Sequence, residues 1–304
     1  MTITEQFICG KHTAADCEDG IVITPHFAAV IDGSTSKTPL RLDASMKNGR
    51  FAMLLICDYI MQMAADSTMD HFCQGITHRI AEEYAGRGIA ERMAEHPEER
   101  LTASAIVYSE RRKEVWMVGD CQAIIDGKYY DNSKPYEHEI AMQRATLIKN
   151  GMAPKEARRT IEPQLIKAML EGQNRQYAVI DGTPIYMPGT RIITVAHSVV
   201  LASDGYPTLL PTLHESEEAL AKHLATDPQN ITDFVATKGF GGQPQLRRPC
   251  LRQPEHLIIK TTCLFIKTKV PLRVFLPEVA PYCLCLHSVT EQSLSDSSRC
   301  IIPA

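Results

Sequence analysis

An apolar run of strand length, Phe27-Ala28-Ala29-Val30-Ile31, stops abruptly at Asp32-Gly33 and gives way to Ser34-Thr35-Ser36-Lys37. This reads as a buried strand that carries a carboxylate to its open end, beside a glycine whose carbonyl can be approached closely. An Asp-Gly pair is also a common turn. Two further runs end in the same way, however: Val115-Trp116-Met117-Val118 before Gly119-Asp120, and Val199-Val200-Leu201-Ala202 before Ser203-Asp204-Gly205. Carboxylates gathered at strand ends repel one another unless a cation neutralises them, and oxygen-only donors suit hard divalent ions.

The flanking sequence places more acid nearby. Glu18-Asp19-Gly20 leads into Ile21-Val22-Ile23, and Thr24-Pro25-His26 separates that segment from Phe27. The expectation is an antiparallel hairpin, 21–23 with 27–31, that brings Glu18 or Asp19 beside Asp32. Helical spacing follows over 46–65 and 69–84, then short strands at 103–108, 115–118 and 123–125, whose connections are too short for crossover helices. Residues 137–149 and 153–170 read as helices, 177–180 and 191–195 as strands, and 217–224 and 231–236 as helices. The alternation predicts an α+β chain, with two antiparallel sheets packed face to face and helical pairs outside.

Taken in order, five pieces resemble the metal-dependent PP2C-type (PPM) serine/threonine phosphatase family. They are Glu18-Asp19-Gly20, Ala29-Val30-Ile31-Asp32-Gly33, Thr102-Ala103-Ser104, Val118-Gly119-Asp120-Cys121-Gln122-Ala123 and Val200-Leu201-Ala202-Ser203-Asp204-Gly205. The resemblance covers about residues 9–242 and implies a four-layer αββα sandwich holding two Mn²⁺ or Mg²⁺ ions at one edge. It also implies hydrolysis of phosphoserine and phosphothreonine in a phosphorylated protein substrate by a metal-activated water. By that likeness Asp32 would bridge the metals and Gly33 would offer its carbonyl. Glu18, Asp19 and Asp204 would complete the ligands, and Asp120 would be structural or outer. No nucleophilic cysteine is then required, and Cys17 and Cys121 read as incidental small residues.

Two departures stand out. Ala14 occupies the place where the family often carries a phosphate-binding Arg, so Lys11, His12 and Lys37 become the phosphate-binding candidates; as point donors they would not reproduce a bidentate guanidinium. After Gly241-Gly242, where another metal-binding Asp is usual, the chain reads Gln243-Pro244-Gln245-Leu246-Arg247-Arg248-Pro249-Cys250-Leu251-Arg252. Those ten residues can be back-translated so that reading one base later gives Asn-Pro-Ser-Phe-Asp-Asp-Arg-Ala-Tyr-Val. Residues 1–242 are therefore read as a PP2C-like domain lacking its usual last strand. Residues 243–304, which hold five of the ten cysteines, are read as an out-of-frame and poorly ordered tail. A strand at Val270–Leu276 is the one element considered there.

The alternatives follow from the same residues. A domain without the last carboxylate could be a catalytically inactive module that binds phosphoproteins or regulates them. An N-terminal-nucleophile hydrolase would need Thr102 or Ser104 freed by cleavage, and nothing around Leu101 signals processing. A formal net charge of -4 gives no reason to expect a nucleic-acid partner, and no apolar run reaches membrane-spanning length. The first residues lack a signal-peptide pattern, so a cytoplasmic monomer is expected.

Overall fold

The computed structural model describes residues 1–9, 17–239, 263–269 and 282–283. The strands are β1 (Thr2–Cys9), β2 (Asp19–Ile23), β3 (Phe27–Gly33), β4 (Ala103–Ser109), β5 (Glu114–Val118), β6 (Gln122–Ile125), β7 (Lys128–Tyr130), β8 (Arg191–Thr194), β9 (Ser198–Ala202), β10 (Cys263–Lys269) and β11 (Tyr282–Cys283). The helices are α1 (Asn48–Gln62), α2 (Met69–Gly86), α3 (Ala90–Glu95), α4 (Glu137–Lys149), α5 (Pro154–Gly172) and α6 (Leu213–Thr226).

All strand pairings within the two sheets are antiparallel. One sheet runs β1-β10-β9-β6-β7 and the other β11-β2-β3-β4-β5-β8. The expected β2–β3 hairpin is present: the Thr24 hydroxyl accepts from the Phe27 amide at 2.9 Å, and the Thr24 amide donates to the Phe27 carbonyl at 2.8 Å. At the β6–β7 turn, Asp126 and Gly127 both take positive φ, the backbone a tight two-residue hairpin needs.

Side-chain parity sorts the core into layers. Ile21, Ala28, Val30, Ile106, Val115 and Met117 face the other sheet, where Ala123, Ile125, Val199 and Leu201 meet them. The alternate residues Val22, Ala29, Ile31, Val107 and Trp116 pack instead against Ala52, Ile56 and Ile60 of α1 and Phe72 and Ile76 of α2. Outside the second sheet, Ile124 and Val200 meet Leu220 and Leu224 of α6. Helix, sheet, sheet, helix is the four-layer sandwich expected, and β3 is apolar from Phe27 to Ile31 because both its faces are covered there.

Several elements differ from the sequence reading. Strand β1 was not anticipated. Its pairing with β10 shifts register between Ile3 and Glu5, so Ile3 and Ile8 reach the same core despite opposite parity. Residues 231–236 are not helical: the Asp227 carboxylate accepts from the Ile231 and Thr232 amides at 2.9 and 2.8 Å, and Asn230 sits at φ 51°. Such local side-chain bonds compete with helix formation. Residues 177–180 contribute two isolated bridges, Ile180 to Ala103 and Tyr177 to Gln173, instead of a strand. Beyond residue 242 the described strands are β10, lying between β1 and β9, and β11, beside β2. The strand expected at 270–276, and most of the tail, lie outside the described residues. Among the described residues no helix is long and apolar enough to cross a membrane.

Candidate metal centre

Asp19 and Asp32 are direct partners in the β2–β3 ladder, and Asp32 is paired on its other side with Ser104 of β4. Asp19 shares parity with Ile21, and Asp32 with Val30 and Ala28, so both carboxylates lie at the open end of the inter-sheet core. Asp204 arrives from the second sheet, two residues past β9, and Asp120 from the first, two residues past β5. All four acids line one cavity of about 340 Å³. Strand ends from both sheets thus meet at one mouth of the sandwich.

The adjacent acids and their strand neighbours divide between two faces. Glu18 and Gly33 point the other way, toward α1. Glu18 Oε2 accepts from the Thr35 hydroxyl at 2.8 Å and lies 3.9 Å from Lys47 Nζ. Its Oε1 is buried with no hydrogen-bond partner. Gly33 donates its amide to the Glu18 carbonyl at 3.1 Å. A Cβ on Gly33 would lie 2.1 Å from the Gly49 carbonyl oxygen, so close approach of α1 explains the glycine here. Asp19, Asp32 and Asp204 are therefore brought together, whereas Glu18 and Gly33 face a different environment. Lys37 donates to the Thr35 carbonyl at 2.9 Å on the helix side. It lines a small cavity of about 60 Å³ with Arg100, Thr102 and Lys134. Lys11 and His12 lie outside the described residues.

Charge in the larger cavity is unevenly balanced. Burial pushes the Asp32 carboxyl well above its ordinary value, and the Asp19 and Asp204 carboxylates push it further. Asp120 is different: burial works against its charge, yet Lys134 and the Ser104 hydroxyl bring it down to about 2. Ser104 Oγ donates to Asp120 Oδ1 at 2.5 Å, and Lys134 forms an ion pair with Oδ2. Gly119 makes this turn at φ 89°, and a Cβ there would fall 2.1 Å from Ser104 Oγ. Lys238 Nζ lies 3.9 Å from Asp204 Oδ2. Asp204 holds Lys238 above the ordinary lysine range, burial opposes this, and Asp32 and Asp19 add to the upward shift.

Three buried or half-buried carboxylates around one space have the donor chemistry of a hard divalent cation, and the mutual repulsion at Asp32 is what such a cation would relieve. Asp19, Asp32 and Asp204 offer that donor chemistry from around one cavity, while the Glu18 carboxylate is directed to Thr35 and Lys47. Among the described residues no three His, Cys, Asp or Glu side chains are gathered closely enough to hold a metal ion. Cys17 and Cys121 are buried thiols, and the Cys17 Sγ donates to the Asp19 carbonyl at 3.4 Å. Lys134 and Lys238 escaped the sequence reading because neither sits in an acidic motif; only the folded chain sets them against Asp120 and Asp204.

No family model matches the sequence, and no curated protein matches it. Among solved structures the chain is similar to PppA, a key regulatory component of T6SS in Pseudomonas aeruginosa, at 13% identity and TM-score 0.41 over 87% of this chain and 96% of that one. It is similar to the catalytic domain of the serine/threonine protein phosphatase PstP in complex with two manganese ions, at 14% identity and TM-score 0.39 over 88% and 97%. It is also similar to the serine/threonine phosphatase Stp1 from Staphylococcus aureus, at 13% identity and TM-score 0.40 over 89% and 96%. In structure the chain is thus similar to PP2C-type serine/threonine phosphatases over most of its length, at low identity and with modest overlap.

Proposed function

We propose that this chain hydrolyses phosphoserine and phosphothreonine in proteins, using Mn²⁺ or Mg²⁺ held by Asp19, Asp32 and Asp204. The observation that carries the reading is the convergence of these three carboxylates, from both sheets, on one cavity. Bound there, a divalent cation would supply Lewis acidity toward phosphoryl oxygens and lower the pKa of a water. The protein's own residues do the rest. Asp32, flanked by Asp19 across the ladder, concentrates negative charge at the strand end. Ser104 and Lys134 fix the turn that carries Asp120 as a structural element beside the ligands. Glu18, tied to Thr35 and Lys47, holds the loop after β3 against the start of α1. A phosphorylated protein segment is the substrate proposed, in a cytoplasmic setting and with no nucleic acid or membrane involved.

The second reading, an inactive domain that binds phosphoproteins, is favoured by the Lys238–Asp204 ion pair, which gives the acid cluster a cation from the chain itself. The out-of-frame account of residues 243–304 belongs with it, since the missing carboxylate would weaken a two-metal site. Hydrolysis of p-nitrophenyl phosphate at saturating Mn²⁺ separates the two readings. Asp32→Asn is expected to lower turnover at least about a hundredfold through loss of the central ligand. Wild-type-like turnover in folded Asp32→Asn would remove Asp32 from the site, and no Mn²⁺-dependent turnover in the parent chain would favour the inactive reading.

A further inference from the structure

Lys238 lies on a segment whose backbone is pinned from two sides. The buried Arg144 guanidinium, on α4, donates to the Gln229 carbonyl at 2.7 Å and the Ala236 carbonyl at 3.2 Å. The Asn230 side-chain amide donates to the carbonyl of Lys238 itself at 3.0 Å, and Asn230 Oδ1 lies 2.8 Å from His223 Nε2. Residues 234–239 form one wall of the acid-lined cavity. The backbone is therefore fixed, whereas the Lys238 side chain is 60% exposed and ends 3.9 Å from Asp204. A fixed base with a long mobile arm over a group of carboxylates is a tethered cation.

We infer that Lys238 is a built-in counter-ion that competes with a divalent metal for the carboxylates of Asp204 and Asp32. The inference rests on the metal reading above. An ammonium is a single charge with three hydrogen-bond donors, and its long, exposed arm can swing away at little cost. A divalent ion in the same space meets the acids with twice the charge. Either can neutralise the cluster, but both together would crowd like charges, so metal binding must push the ammonium outward. Lys134 does not share this role, because it is half-buried and committed to Asp120. Glu137 and Asp131, which also line the cavity, are anions toward which the displaced arm could turn.

The test is Mn²⁺ affinity of the full chain, read from the electron paramagnetic resonance signal of free Mn²⁺, with no substrate present. Lys238→Gln is expected to bind Mn²⁺ at least about tenfold more tightly than the parent, and Lys238→Arg to stay near the parent. Asp204→Asn should bind more weakly. In EDTA, Lys238→Gln should melt below the parent, and the gap should close or reverse when Mn²⁺ is added. Mn²⁺ binding by the parent that is equal or weaker in Lys238→Gln overturns the competition and leaves the metal reading standing. Absence of Mn²⁺ binding in parent and Lys238→Gln alike overturns the metal reading, and the competition with it.

Discussion

Replacing Lys134 with Met leaves Asp120 buried with only Ser104 to compensate its charge. The two side chains are 20% and 10% exposed, so solvent screens the pair only modestly. The Asp120 carboxyl falls from 3.8 to about 2 in the folded chain, with burial opposing the fall and Lys134 the largest contributor to it. At 1.36 kcal/mol per pH unit this corresponds to about 2.5 kcal/mol of stability. Because the folded value is the lower one, that stability is fully present above pH 3.8 and is lost as the pH falls toward 2. Lys134→Met should therefore cost on the order of 3 kcal/mol at pH 7, since one partner of a buried pair is left alone. Lys134→Met combined with Asp120→Asn should recover part of the loss, because the stranded charge is gone. Asp120→Asn alone should flatten the acid limb between pH 4 and 2. Urea unfolding in EDTA followed by the fluorescence of Trp116, the single tryptophan and fully buried, measures all four proteins. A Lys134→Met protein within about 0.5 kcal/mol of the parent, with the same acid limb, would refute the argument.

Gly119→Ala should destabilise the chain by at least about 3 kcal/mol, because it combines a φ of 89° with a Cβ 2.1 Å from Ser104 Oγ and 2.9 Å from Ser104 Cα; an unchanged melting temperature would contradict that geometry. Burial, with Lys134 and Arg158 nearby, lowers the Lys37 amine to about 8. Its acylation, followed by mass spectrometry, should rise with a midpoint near pH 8, and a midpoint above 10 would show an ordinary solvated lysine.

The sheets were legible because their strands are short, apolar and joined by recognisable turns. The β2–β3 hairpin follows from Thr24-Pro25-His26, and the β4–β5 hairpin from a connection too short to hold a helix; β6, expected as the next strand of the same meander, crosses instead to the other sheet beside β9. What was hidden has local causes. A register shift breaks the alternation of β1, so no period survives in Thr2–Cys9. The segment 231–236 carries helical spacing, but the Asp227 carboxylate accepts from the Ile231 and Thr232 amides and the Asn230 carbonyl from the Ala236 amide, bending it into the cavity wall. The cations that matter most to the site, Lys134 and Lys238, are 14 and 34 positions from the acids they face and belong to no pattern. Long-range pairing of that kind is decided by the fold.

Consecutive side chains of a strand point to opposite faces, so the Glu18 and Asp19 carboxylates do not both enter one cavity while the extended geometry of β2 continues back through Glu18. Parity with Ile21 and Val30 selects Asp19 and Asp32 for the inter-sheet end, and leaves Glu18 and Gly33 against α1. Recruiting Glu18 would require β2 to lose its extended geometry where it begins, breaking the contact between the Glu18 carbonyl and the Gly33 amide. Recruiting the Gly33 carbonyl would move it off Gly49 of α1, where a Cβ would fall 2.7 Å from that oxygen. Each rearrangement opposes packing that holds α1 on the sheet. On the reading proposed above, a metal at this mouth would draw on Asp19, Asp32 and Asp204 and would meet Lys238 as a competitor. Its affinity would then depend on that competition as well as on the number of acids written in the motifs.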